Sequence, residues 1–441
     1  MILKPQPKIS QNISIFCFRR DLRLHDNAGF YHALKSENSV LPIFIFDKNI
    51  LDELNNKKDP RVLFIHREIS KIKAELEKIG SSLLVFYGTP SEVFKKLTSD
   101  YQIKQVFANR DYEPYAQKRD KEIYEFLKDK NIEFKGFKDQ VIFEKNEILK
   151  DDKKPYTVFT PYSRKWKSTL NEFYLKEYPI KKYQKNFSKC QPFSYPTLKE
   201  IGFEDFNFKH FPSAKFDLKV IQNYEKNRDF PAIQGTSHLS LHLRFGTISI
   251  RSLASFATQN EKFLNELIWR DFYQMILYHF PHSANSSFKP DYDKIKWKNN
   301  EKEFQKWCIG VTGCPIVDAG MRELNETGYM HNRVRMIVAS FLTKNLLIDW
   351  RWGEKYFAEK LLDYDMASNV GGWQWAAGSG CDAAPYFRIF NPDLQTEKFD
   401  PEKKYIKKWV PEFESAEYPK LIVDLKTSRA RCLETYKAAV K

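Results

Sequence analysis

A chain of 441 residues is too long for one ordinary hydrophobic core, so two domains are expected. Lys+Arg outnumber Asp+Glu by 72 − 57 = 15, which favours polyanionic partners, nucleic acid before a membrane surface, and a mean hydropathy of −0.58 fits a soluble globular protein. Six cysteines without CxxC or CxxH spacing indicate neither a zinc site nor a disulfide framework, and no apolar run approaches membrane-spanning length.

The opening MILKPQPKISQNISIFCF lacks the apolar core of a signal peptide, so a reducing, cytoplasmic location is expected. From there the chain alternates short β-rich runs with polar amphipathic stretches. ISIFCF (13–18), VLPIFIF (40–46), SLLVFY (82–87) and QVFAN (105–109) predict buried parallel strands, and 60–79 and 90–99 predict helices between them. That is an α/β, doubly wound, Rossmann-like pattern over residues 1–140. The first strand runs into RRDLRLHDN, however, so the glycine-rich dinucleotide turn is missing. Residues 141–205 are polar, rich in Lys and Tyr and punctuated by prolines, and predict a linker with one helix around Trp166. From 206 to 441 the pattern predicts an all-α domain. FLNELIWRDFYQMILYHF (263–280) and GYMHNRVRMIVASFLTKNLLIDW (328–350) carry the period of long amphipathic helices. Eight of the nine tryptophans lie between Trp269 and Trp409, so the second half houses something the first does not.

Two motifs are decoys. GSGCDA (378–383) matches a dinucleotide loop in letters, but no strand precedes it. HLSLH sets His238 and His242 four residues apart, yet the glutamate and third ligand of a zinc protease are missing, so a helix-face histidine pair is expected and no metal site.

Other stretches carry chemistry. In GTSHLSLHLRF, Thr236, Ser237 and Ser240 precede a helical run, a pattern that suits an anion seat as well as plain N-capping. In ELIWRDFYQ, Glu266, Trp269, Arg270 and Tyr273 share one helical face, a wall for a polar aromatic ligand. MHNRVRM aligns Asn332, Arg335 and Met336, and LLDYDMASNVGGWQW supplies Asp363, Asp365 and Asn369. Buried acids need partners, and Arg335 is a candidate for one of them. Gly371 and Gly372, beside Trp373 and Trp375, predict a pocket-wall loop where backbone approaches a flat ligand.

FRRDLRLHDN, VFTPYSRKW, DFPAIQGTSHLSLHLRFGTIS, NELIWRDFYQ, PIVDAGMREL, GYMHNRVRM and the run from SNVGGWQW to FDPEKKYIKKWVPE together resemble the DNA photolyase/cryptochrome family over essentially the full length, most of all class I enzymes for cyclobutane pyrimidine dimers. The resemblance implies an antenna domain followed by a helical domain that binds FAD, active as FADH⁻. It implies light-driven electron transfer from the excited reduced flavin to a dimer flipped out of the duplex. Photolyases are among the enzymes known to extrude their target base in this way.

By position, Tyr224 and Thr236, Ser237, His238, Leu239 and Ser240 match the FAD phosphate and ribityl contacts. Arg335 and Asp363 match the ion pair beneath the flavin, Asp365 its adenosine side, and Asn369 the residue facing N5, with Trp269 and Asn332 also against the cofactor. Glu266, Trp269, Asn332, Met336 and Trp375 match the dimer pocket, and Arg228, Arg270, Arg333 and Gln395 its DNA surroundings. Trp297, Trp350 and Trp373 match an electron-transfer chain. Tyr329 replaces a tryptophan of close relatives and is expected only to pack. Glu113 in NRDYEPY resembles an antenna contact, with methenyltetrahydrofolate, a deazaflavin, a second flavin or an empty site all open. The expected partner is dimer-bearing DNA, bound by a monomer. A cryptochrome photosensor is the alternative; Glu266, Met336 and Asn369 take repair-type identities, and no long tail follows the helical domain. MHNRVRM lacks the histidine pair of (6-4) photolyases, and a flavin-free helical DNA binder would leave the tryptophan distribution unexplained.

Overall fold

Five parallel strands make the only sheet among the described residues, which in this computed structural model are 12–440. The first eleven residues of the opening stretch lie outside them. The strands are β1 (Ile13–Phe18), β2 (Ser39–Asp47), β3 (Leu84–Gly88), β4 (Ile103–Asn109) and β5 (Glu133–Phe137), in the order β3-β2-β1-β4-β5. Helices α1 (Ala28–Leu34), α2 (Pro60–Lys78), α3 (Pro90–Asp100) and α4 (Pro114–Lys128) connect them. This is the expected doubly wound arrangement. β1 is central, Ile15 pairing with Leu41 and with Val106, and all six of its residues are buried, as the faces of a parallel sheet covered by crossover helices are. Pro42 is tolerated inside β2 because the β3 ladder starts only at Ile43.

The described chain forms two compact units. One runs up to Glu144 and adds Leu170–Ala214 and Leu239–Phe256; the other comprises Lys145–Thr169, Lys215–His238 and Ala257–Lys441. The first is tied by buried ion pairs. Arg23 and Arg251 both donate to Asp139, and Arg251 also to Asp26, with every one of these side chains at most 7% exposed. A crevice opens at the β1/β4 switch point, the usual ligand position in such sheets. Here it is lined by Arg20, Asp21, Asn109 and Asp111, and Glu113 nearby accepts from Arg20 (3.0 Å) and Arg244 (2.9 Å).

The second unit is helical: α5 (Phe159–Thr169), α6 (Glu261–His279), α7 (Glu301–Ile309), α8 (Pro315–Thr327), α9 (Asn332–Ser340), α10 (Trp350–Lys360), α11 (Met366–Ala377), α12 (Pro392–Phe399) and α13 (Leu425–Ala439) are its main helices. No helix among the described residues is long and apolar enough to cross a membrane.

Two sequence expectations need correction. The helix expected over 328–350 starts at Asn332, where His331 accepts from Arg333 N (3.2 Å), and after Ser340 it passes into a π-helical turn, Phe341–Asn345. His238 and His242 are not a helix-face pair. His238 has φ 53° ahead of the helix and lies in the helical unit, whereas His242 is a buried histidine of the α/β unit bonded to Thr247 Oγ1 (2.7 Å) and Pro212 O (3.0 Å).

Candidate active site

The helical unit sets ten of the singled-out site residues on α6, α9 and α11. Asn260 starts α6 by accepting from Phe263 N, which sets the phase of the face carrying Glu266, Trp269, Arg270 and Tyr273. Arg228 donates to Glu266 and also covers the Tyr224 ring, 5.3 Å from its centroid. Burial pushes the Glu266 carboxyl above its ordinary value, and Arg228 opposes that shift. Arg270 is half-buried. Phe159, at the start of α5, lies flat on Trp269 with ring centroids 3.6 Å apart and planes 2° from parallel, and Tyr273 stands at 5.4 Å. At least one face of this indole is therefore occupied by protein.

At the start of α9, Asn332 is exposed and Met336 half-buried. Arg333 donates to Asp229 (2.7 Å) and lies over Phe399. Arg335 donates from Nε to Met330 O (2.7 Å) and from Nη2 to Asp363 (2.9 Å). The Asp363 side chain is only 6% exposed and that of Arg335 25%, so the acid end of the pair is the buried one. Tyr329 does more than pack. Its hydroxyl is 3.3 Å from Thr236 Oγ1, and its ring meets His238 (4.5 Å) and lies beneath Arg335 (5.6 Å). Ser237, between those two, is half-buried, as is Tyr224. Leu239 and Ser240 fall in the α/β unit, Leu239 buried and Ser240 exposed as the first residue of a short helix, Ser240–Phe245.

The stretch GGWQW is helical, not the expected loop. Asp365 caps α11 through Ser368 N (3.1 Å), and Gly378, at φ 88°, ends it. Residues two apart on a helix point to different sides, so Trp373 goes into the core at 2% exposure while Trp375 stays half-buried. The glycines also divide. A Cβ on Gly371 would sit 2.3 Å from the Tyr273 ring, so this glycine serves helix packing, whereas one on Gly372 would meet nothing within 4 Å. Only Gly372 keeps the open approach expected of both.

Asn369 sends both amide hydrogens to Glu354, at the backbone O (3.1 Å) and Oε1 (2.9 Å), which turns its amide oxygen away from that partner. Asp365 accepts from Gln274 Nε2 (3.0 Å). Phe159 and Gln274 lie in stretches that resemble the family, and Glu354 in none; only their positions across from Trp269, Asp365 and Asn369 show what they do.

Of the three chain tryptophans, Trp350 and Trp373 lie in one core and Trp297 packs half-buried against it. Trp373 meets Phe357 (5.0 Å) and Trp307 (6.1 Å), and a Cβ on Gly353 would come within 2.1 Å of its ring. Gln395 is half-buried on α12.

Residues 14–182 match the DNA photolyase model, and residues 263–417 match the FAD binding domain of DNA photolyase. A deoxyribodipyrimidine photo-lyase of Vibrio cholerae is 36% identical, covering 96% of this chain and 98% of that protein. Among solved structures, a class III photolyase from Agrobacterium tumefaciens is 33% identical at TM-score 0.85, with 98% of each chain covered. An archaeal photolyase from Sulfolobus tokodaii, solved with two FAD molecules, is 34% identical at TM-score 0.79, covering 97% of this chain and all of that one. The chain belongs to the DNA photolyase family.

The residues present fit FAD. They offer a guanidinium–carboxylate pair buried at its acid end, a hydroxyl at Thr236, an outward amide oxygen at Asn369 and open space at Gly372.

Proposed function

We propose that this protein is a deoxyribodipyrimidine photo-lyase that uses light to split cyclobutane pyrimidine dimers in DNA, acting as a monomer. The observation that carries this reading is the orientation of Asn369. With both amide hydrogens held by Glu354, its oxygen is free to accept from an N–H, the hydrogen-bond demand of a reduced flavin ring. When bound, reduced FAD supplies the photochemical electron.

The chain's own residues then divide the work. Arg335 and Asp363 hold the cofactor, with Tyr224, Thr236, Ser237 and His238 toward its phosphates and Asp365 toward its adenosine. Glu266 is suited to hydrogen-bond a flipped pyrimidine, which requires it to exchange Arg228 for the lesion. Trp375 and the exposed edge of Trp269 border the dimer, with Asn332 and Met336, and Arg228, Arg270, Arg333 and Gln395 lie toward the DNA. Trp373, Trp350 and Trp297 supply electrons that keep the flavin reduced. The α/β region, through residue 140, houses a second, light-collecting chromophore near Glu113, and residues 206–441 carry the chemistry.

The test is light-dependent repair of a dimer-bearing oligonucleotide by the purified protein with its flavin reduced. Repair in light and none in darkness is expected. A protein that binds FAD yet leaves the dimer intact under illumination would sink the assignment.

A further inference from the structure

Two of the arginines that the proposed function turns toward DNA are already held by carboxylates. Arg333 donates from Nη2 to Asp229 Oδ1 (2.7 Å). Arg228, bonded to Glu266, also brings its Nε within 3.9 Å of that same Asp229 oxygen. Asp229 thus faces both cations. The chain's surplus of 15 positive charges draws DNA from a distance whether or not it carries a lesion. How tightly DNA is then held depends on which arginines are free to grip it.

The surroundings let this acid release its partner. The Asp229 side chain is 37% exposed, so water replaces the guanidinium when the pair opens. Arg333 has other supports. Its guanidinium lies 4.3 Å over the centre of the buried Phe399 ring, and its Nη1 reaches Met336 Sδ (3.8 Å). It can exchange one anion for another without leaving that platform. A carboxylate and a phosphate make the same demand on it, oxygens facing a planar fork of N–H groups.

We infer that Asp229 is a stand-in for a DNA phosphate. It holds Arg333 and restrains Arg228 in the free protein, competes with backbone phosphates for them, and takes them back once the dimer is split. The inference rests on the reading of these arginines as DNA contacts. Its consequence is for release. An intact dimer holds the complex through the pocket as well as through phosphates, whereas repaired DNA is held by phosphates alone, and there the competing carboxylate counts most. Asp229 is a positioning residue for charge.

The experiment measures binding of the FAD-loaded protein, in the dark and over a range of salt, to matched duplexes with and without one dimer. Dissociation from the undamaged duplex is followed by stopped flow. Asp229→Asn keeps the shape and removes the charge. At low salt it should bind the undamaged duplex about two- to fivefold more tightly, the worth of one exposed ion pair, and leave it correspondingly more slowly. Asp229→Ser should match it. The gain should shrink as salt rises, because screening weakens the competing pair in wild type. Asp229→Glu, which restores the charge, should return to wild-type values. Wild-type affinity and release at low salt in both uncharged variants overturn the inference. So does a gain that high salt leaves undiminished, or one that Asp229→Glu shares, since neither follows from charge. A wild type with no preference for the dimer-bearing duplex overturns the DNA reading itself and the inference with it.

Discussion

Both units bury guanidinium–carboxylate pairs, and the two sets are built differently. In the α/β unit, Arg23, Arg251, Asp26 and Asp139 satisfy one another. Asp139 also accepts from Ala28 N (3.0 Å) and Asp26 also from Ser249. In the helical unit the pairs are looser. The Arg335 side chain is 25% exposed, Arg228 is 26% exposed against Glu266 at 31%, and Asn369 keeps an oxygen turned outward. A closed network fixes a fold; an open one leaves valences for a ligand. The same residue types do opposite work according to how many of their hydrogen-bonding positions the protein fills.

That contrast can be broken at its strongest point. Asp139→Ala takes away the carboxylate of Arg23 and one of the two that Arg251 has, in a site with almost no water access. It should destabilise the α/β unit by about 3–5 kcal/mol, read from denaturant unfolding. A loss no larger than that of a surface alanine would mean the network is not closed.

A pH experiment sharpens the other side. Burial, and then the nearby charge of Arg335, depress the His331 imidazole from its ordinary 6.5 to about 4. The folded helical unit therefore keeps its full stability above the ordinary value and loses it as the pH falls toward 4, by at most about 3 kcal/mol. His331→Asn preserves the helix cap and removes the titration. Its melting temperature should fall less than that of wild type on acidification, and parallel pH curves would disprove the role.

The smallest expected effect is at the rim. Trp375→Ala should weaken binding of dimer-bearing DNA by about 1–3 kcal/mol, the range for stacking on a base, while the melting temperature barely moves. If affinity stays and stability drops, Trp375 belongs with Trp373 in the core.

Much of the molecule is legible in its sequence where apolar period and fold agree. The strands at 13–18 and 40–46 announce themselves because both of their faces are buried. Helix α4 and strand β5 do not, because α4 buries only Ala116, Ile123 and Leu127, and EFKGF, on the sheet edge, is never fully buried. In the candidate site, charged residues on one helix face are readable from spacing. Their partners are not: Glu354 reaches Asn369 from another helix, and Phe159 reaches Trp269 from α5. The glycine pair shows the same limit. Two identical residues in a row differ only in what stands across from them, Tyr273 for one and open space for the other.

The π-helical turn at Phe341–Asn345 has a consequence of phase. A regular helix repeats its face every 3.6 residues, so a run of five cannot all look inward. Here Phe341, Leu342, Thr343, Lys344 and Asn345 are all buried. The extra residue in the loop from Phe341 O to Leu346 N slips the register, so that a lysine and an asparagine enter the interior where the helical count would send one of them toward water. Asn345 then binds Ser428 of α13 and Lys344 binds the last carbonyl of α11. Deleting one residue from this turn would restore an uninterrupted screw, yet leave every side chain beyond it about 100° out of step.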